Sequence, residues 1–392
     1  MKVILIVLDS VGIGYAPDAA AFGDEGAATL PHIAERVGGL KLPTLEKLGL
    51  GNILPMTGQP LEIKGVSPVT APLASFGAMQ ELSEGKDTIT GHWEIAGLLM
   101  KPGFYVFPSA FPSFPPEIVE PFEKLTGRKI IGNKAASGTT VIEELGERSM
   151  KENAWIAYTS ADSVFQIAAN IDLVPLEDLY KACEIARKLC DPYRVGRVIA
   201  RPFRGKPGGF KRTEDRRDYA FQPTEPTILE RLKNAGVPVY CVGKIEDIYA
   251  HRGVTKSNHT GNNLDSQKAV EAFSAELKHG LIFANYIDFD MLYGHRRDPQ
   301  GYANCLVQTD KWVEGFLPTL GDEDVLIITA DHGNDPTYKG SDHTREIVPL
   351  LVYRRGKPGV SLGLRHGFFD IAQSIASLFK IAPMPRGQSF IS

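Results

Sequence analysis

Five short apolar runs recur along the chain without the alternation of a half-exposed strand: residues 3–8, 237–242, 281–286, 325–330 and 348–352. Runs of this length predict strands covered on both faces, as in a mostly parallel sheet. Between them lie helical signals. Residues 226–235 open on Pro226 and are followed by Gly236, residues 266–277 are followed by Gly280, and residues 301–316 continue the series. Strands alternating with helices predict an α/β layer fold.

The middle of the chain departs from this pattern. A stretch dense in Pro and Phe, 101–116, and a second irregular stretch, 205–223, bracket a separate set of elements. That set comprises helices over 116–125, 139–148 and 176–189, with strands over 129–132, 155–159, 164–168 and 195–203. At 392 residues the chain is too long for one ordinary domain. The expected organisation is a core domain over 1–100 and 222–392, interrupted by an inserted domain over 101–221.

Charge narrows the partners. With 43 basic and 47 acidic residues the net charge is −4, which gives no global attraction to nucleic acid or to an anionic membrane. Phosphate binding must then be local. The four cysteines form no CxxC pair and suggest a reducing cytoplasm; Cys183 and Cys190, seven apart in a helical pattern, read as core packing. The run 3–8 is too short for a signal-peptide core or a membrane span, so a soluble cytoplasmic protein is expected.

The chemistry sits at strand ends. Asp331 and His332 follow the run 325–330 directly, with Gly333 and Asn334 after them, and His343 lies eleven residues beyond His332. Asp9 ends the first run. Asp288, Asp290 and His295 follow the run 281–286, and Gly294 is expected to let the chain turn the His295 ring back toward the strand. Open α/β sheets place their sites beyond the carboxyl ends of strands. Carboxylate and imidazole without thiolate favour Mn, Zn or Mg. Spacing alone leaves Asp288 and Asp290 as rivals. The turn after Asp9 lacks GxGxxG and is no dinucleotide fingerprint.

The run GKDTITGHWE at 85–94 supplies a hydroxyl near a helix start. A threonine hydroxyl is a poor nucleophile unless a metal or base lowers its pKa, and a helix N-terminus favours an incoming phosphate. Thr88 and Thr90 both qualify. The inserted segment adds a basic stretch, including Arg194, Arg197, Arg201, Arg204, Arg212, Arg216 and Arg217, some of which could grip phosphate bidentately.

These motifs together resemble the phosphopentomutases of the alkaline phosphatase superfamily. The likeness is carried by VLDSVGIGYAPD at 7–18, GKDTITGHWEIAG at 85–97, GNKAASGT at 132–139, YTSADSV at 158–164, VGRVIARPF at 195–203, residues 288–302, and TADHGNDPTYKGSDHTRE at 329–346. It implies an alkaline-phosphatase-like core with a largely parallel sheet and a smaller inserted α/β cap that binds substrate and excludes water. It further implies that Asp9, Asp331 and His332 hold one Mn ion, that Asp290, His295 and His343 hold a second, and that Thr88 lies between them and is phosphorylated in the active enzyme. The implied reaction interconverts ribose 1-phosphate and ribose 5-phosphate, and the 2-deoxyribose pair, through a 1,5-bisphosphate, joining nucleoside breakdown to pentose phosphate metabolism. Ser160 and Asp162 become candidates for the sugar hydroxyls, Arg197, Lys244 and Lys134 for the distal phosphate. A sugar bisphosphate such as glucose 1,6-bisphosphate would prime Thr88, and the chain would act as a monomer on small pentose phosphates.

Overall fold

In the computed structural model, which describes residues 1–160 and 163–391, fourteen strands run in chain order. They are β1 (Lys2–Leu8), β2 (Ala74–Gln80), β3 (Ile130–Ala135), β4 (Trp155–Thr159), β5 (Val164–Asn170), β6 (Arg197–Arg204) and β7 (Lys211–Arg212), then β8 (Arg217–Ala220), β9 (Val239–Val242), β10 (Lys256–Asn258), β11 (Gly280–Tyr286), β12 (Val325–Thr329), β13 (Val348–Tyr353) and β14 (Ser361–His366). The chain divides into two units, one formed by residues 1–102 with those from 223 onward, the other by residues 103–222.

The first unit is built on an eight-stranded sheet of order β10-β9-β11-β1-β12-β13-β2-β14. Its centre explains the apolar runs: β1 is flanked by parallel β11 and β12, and every residue of β11 and β12 is buried. The register sets Leu8 beside Tyr286 and Val7 beside Thr329, so three carboxyl ends finish at one edge of the sheet. β13 departs from the parallel expectation and runs antiparallel to both β12 and β2. β2, β10 and β14 gave no apolar run. In β2 the backbone of Gly77 passes so near β14 that an added Cβ would lie 2.8 Å from the Gly363 carbonyl oxygen; β14 is a half-buried, bulged edge strand, and β10 is three polar residues.

Some helix starts are marked by side-chain hydrogen bonds. The helix Ile228–Asn234 begins with Thr227 N–H donating to Glu230 Oε2 at 3.2 Å, Asn263–Glu276 with the Asn262 side chain accepting from Asp265 N–H, and Pro299–Phe316 with Asp298 accepting from Gly301 N–H. Among the described residues no helix is long and apolar enough to cross a membrane.

The second unit carries a sheet of order β3-β4-β5-β6-β7, with β8 also paired to β6. One face packs Phe122, Trp155, Phe165, Cys183 and Cys190; the other packs Ile131, Val141, Ile142, Tyr158 and Phe203. The Pro- and Phe-dense stretch, expected as a connection, contributes to this core. Phe107 and Phe114 are each 1% exposed, with ring centroids 4.7 Å apart, and Phe114 lies 4.3 Å from Phe165. Burying such a ring is worth roughly 1.5–3 kcal/mol, which explains why an apparently irregular segment is ordered.

Candidate metal centre and nucleophile

Asp9 is the residue after β1, Asp331 the second after β12, and Asp290 sits in the π-helical turn Phe289–Gly294 that follows β11. Because the three strands are neighbours in register, their carboxylates meet. Asp290, His295 and His343 bring ligand atoms within 4.8 Å of one another, and so do Asp9, Asp290 and His332. Asp331 joins the second group, with Oδ2 3.4 Å from His332 Nε2. Asp290 therefore stands between the two clusters. The site grades from fully buried at Asp331 to exposed at His295.

Two observations fit this set to divalent cations. Asp9 Oδ1 is buried without a hydrogen-bond donor, and Asp331 Oδ2 is met only off-axis by His92 Nδ1 at 3.0 Å, an arrangement that costs free energy unless a cation faces the oxygens. The imidazoles are also pre-set. His332 Nδ1 faces the Gly333 carbonyl at 3.0 Å and His295 Nδ1 the Ser341 carbonyl at 2.7 Å, so each Nδ1 carries a proton and each Nε2 faces the cluster. His343 Nε2 lies 3.1 Å from His295 Nε2.

The titration behaviour follows from crowding. Burial, then the charges of Asp331 and Asp290, push the Asp9 carboxyl well above the usual carboxylate range. Burial also acts on Asp290, but hydrogen bonds to His295 and His343 outweigh it and hold Asp290 low. Asp331 is likewise held low, the nearby His332 and His92 overcoming its burial. The hydrogen bond to Asp290 lifts His295 to about 9.

Supporting amides were not foreseen in the sequence. Asn334 Nδ2 donates to Asp290 Oδ1 at 2.7 Å, Asn285 Nδ2 to Asp9 Oδ2 at 3.0 Å, and Ser10 N–H to Asp331 Oδ1 at 3.1 Å. Ser10 makes that bond from a left-handed backbone, φ 76°, a strained conformation of the kind retained at functional sites. The chain brings the His295 ring back to 3.2 Å from Asp290, and the lack of a side chain on Gly294 leaves room for Asn334, whose Cγ would lie 2.7 Å from an added Cβ. Asp288 is spent elsewhere, exchanging hydrogen bonds with Asn263 at the start of the helix Asn263–Glu276.

Thr88 opens the helix Thr88–Ile95, capped by Asp87 accepting from the Ile89 and Thr90 N–H groups. Its Oγ1 lies 3.1 Å from His332 Nε2. The Thr90 hydroxyl instead donates to Asp87 Oδ2 at 2.6 Å and is buried. Gly91 lets this helix approach the centre, since a Cβ there would collide with the Asp331 carbonyl. Arg345, buried between Asp18 and Glu81, donates to the Gly85 carbonyl and anchors the loop before Thr88. Lys244 follows β9, and its charge opposes the rise of Asp9.

The remaining candidates lie in the second unit. There β3 and β4 end, and β5 and β6 begin, at one sheet edge, which collects Lys134, Ser160 and Arg197. Lys134 is engaged with Glu144 at 2.7 Å, Arg197 is 3.9 Å from Asp218, and Ser160 Oγ accepts from Gln166 Nε2 at 3.3 Å. Asp162 lies outside the described residues. Arg201, passed over individually in the sequence, donates to Gln166 Oε1 at 2.9 Å and has no carboxylate ion pair among the described residues; burial, then Arg216 and Arg212, depress its pKa.

Comparison with known proteins follows the same lines. A family model described as the Metalloenzyme superfamily matches residues 1–383. The whole chain is 54% identical, over 393 aligned positions covering 97% of the relative, to a phosphopentomutase from Caldanaerobacter subterraneus subsp. tengcongensis. Among solved structures, a Leishmania mexicana phosphoglycerate mutase at low cobalt concentration superposes with a TM-score of 0.50 at 12% identity, covering 99% of this chain and 97% of that one, a likeness of fold.

Proposed function

This chain belongs to the metalloenzyme superfamily and, within it, to the phosphopentomutases, and from that membership we infer how its residues carry out the isomerisation. The activity interconverts ribose 1-phosphate and ribose 5-phosphate, and we extend it to the 2-deoxyribose pair. One observation carries the mechanism: at a helix N-terminus, the Thr88 hydroxyl faces His332 Nε2 while the Thr90 hydroxyl is committed to Asp87.

In this reading Asp9, Asp331 and His332 would hold one divalent ion, and Asp290, His295 and His343 a second, with Mn2+ the ion we assign. When bound, such ions lower the pKa of a coordinated hydroxyl and neutralise phosphoryl charge. Phosphorylated Thr88 passes its phosphoryl group to the free C5 hydroxyl of a pentose 1-phosphate. An O–P bond forms at C5, the Thr88 Oγ1–P bond breaks, and the hydroxyl proton ends on Thr88. From the resulting 1,5-bisphosphate, Thr88 Oγ1 bonds the phosphorus on O1, the O1–P bond breaks, and the Thr88 proton passes to O1, releasing the 5-phosphate. The positive end of the helix Thr88–Ile95 favours the added negative charge, although its Ile89 and Thr90 N–H groups are already bonded to Asp87. A sugar bisphosphate such as glucose 1,6-bisphosphate would prime Thr88 by the same transfer.

For substrate recognition we assign, in the second unit, Ser160 to a sugar hydroxyl and Arg197 and Arg201 to a phosphate. Arg201 is favoured because a half-buried guanidinium beside two others is offset by an anion; Lys134 is the weaker choice, since Glu144 already neutralises it. The test is to follow ribose 1-phosphate by phosphorus NMR with Mn2+ present. Ribose 5-phosphate should outpace free phosphate; faster phosphate release would replace this reading with that of a hydrolase.

A further inference from the structure

We propose that His92 is a positioning residue, fastening the backbone of the nucleophile Thr88 beside the metal-ligating carboxylate of Asp331. The proposal rests on the roles given above to those two residues. His92 is fully buried, and no step of the reaction uses it. Its Nδ1 hydrogen-bonds the Thr88 carbonyl at 2.9 Å and sits 3.0 Å from Asp331 Oδ2, an off-axis contact. Both neighbours are acceptors, so Nδ1 carries the proton and presents it to the two together.

The other ring nitrogen, Nε2, is buried with no hydrogen-bond partner. Such a group costs free energy, and an apolar ring in the same space would avoid the cost. Packing therefore does not account for histidine here, whereas the Nδ1 proton does. The ring is held in place: it stacks on Phe283 of β11, centroids 6.0 Å apart and planes 18° apart, and the Tyr249 hydroxyl donates to the His92 carbonyl. With Ser10 N–H on Asp331 Oδ1 and His92 against Oδ2, the carboxylate is steered from both oxygens. The same imidazole fixes the first turn of the helix that carries Thr88. A group that orients a metal ligand in this way typically changes metal affinity or activity by about 10–100-fold when lost.

The test uses the full-length chain with His92→Asn, His92→Gln and His92→Phe. The asparagine amide nitrogen can occupy the place of Nδ1, the glutamine amide reaches toward Nε2, and phenylalanine offers no donor. Mn2+ binding, measured by paramagnetic resonance of the free ion, is read alongside kcat, KM and thermal unfolding. Expected is Mn2+ binding within about fivefold of the parent for His92→Asn, and weakened by about 10–100-fold for His92→Gln and His92→Phe. Turnover should fall in parallel at nearly constant KM. Equal Mn2+ affinity in the asparagine and glutamine variants would overturn the proposal, as would parent-like Mn2+ binding by His92→Phe. Should His92→Phe fail to fold, the asparagine–glutamine pair still decides. Thr88→Ala separates the two claims: turnover surviving in it would refute the nucleophile assignment, while the His92 series, read by Mn2+ binding, would stand or fall independently.

Discussion

Thr88 Oγ1 lies 3.1 Å from His332 Nε2, so the hydroxyl that opens the helix Thr88–Ile95 faces an imidazole whose other nitrogen is committed to the Gly333 carbonyl. Thr90, two residues on, spends its hydroxyl on the Asp87 cap. Thr88→Ala should therefore reduce turnover by about 10³-fold or more while leaving Mn2+ binding and the fold intact. Thr90→Val should cost about 1 kcal/mol of stability and leave measurable turnover. Steady-state conversion of ribose 1-phosphate checks both, and the reverse pattern would move the nucleophile to Thr90.

Chelation should remove activity, and Mn2+ should restore it better than Ca2+. Three carboxylates with three imidazoles suit Mn2+, whereas Ca2+ prefers six to eight oxygens at longer distance. Titrating each ion back into chelated enzyme tests this. Full recovery with Ca2+ alone would count against the ligand set.

Asn334 holds Asp290 Oδ1 at 2.7 Å. Asn334→Ala should weaken metal binding by about 10–100-fold, and Asn334→Asp should weaken it further by setting a like charge against Asp290. Calorimetric titration with Mn2+ reads the order of the three proteins. Equal affinity in all three would mean that Asp290 needs no such support.

A pH effect on stability follows from His32, whose Nδ1 lies 2.5 Å from Asp335 Oδ2. That hydrogen bond raises the His32 pKa above its ordinary value. The folded chain then keeps a proton that the unfolded chain has released, so the stabilisation is full below about pH 6.5 and is lost as pH rises through the raised value. Asp335 is shifted downward, the hydrogen bond with His32 outweighing its burial, so its own contribution is lost only in acid. Urea midpoints of the parent and His32→Gln should differ most near pH 6 and converge toward pH 9. A constant difference would contradict the linkage.

How much of this could be read beforehand depended on the kind of signal. Buried central strands such as residues 325–330 announce themselves because both faces are covered, and the acidic and imidazole groups behind them, Asp9, Asp331 and His332, stood out against an apolar background. β2 and β14 gave no such signal, because Gly77 trades its side chain for close approach to β14 and Gly363 takes a left-handed backbone at the bulge. Spacing could not separate Asp288 from Asp290 or Thr88 from Thr90; the hydrogen bonds with Asn263 and Asp87 that engage Asp288 and Thr90 depend on tertiary contact or cap geometry. Asn334, Asn285 and Ser10 act through a single hydrogen bond each, which no local pattern encodes. Phe107 and Phe114 looked like part of a connection because Pro hid their periodicity.

The central claim is that Thr88 carries the phosphoryl group between the two halves of the reaction. Its most direct test is peptide mass spectrometry of residues 85–94 after incubation with Mn2+ and glucose 1,6-bisphosphate. A phosphate on Thr88, absent from Thr88→Ala and discharged by ribose 5-phosphate, is the predicted result; a chain that turns over substrate with no phosphorylated form of that peptide would contradict it.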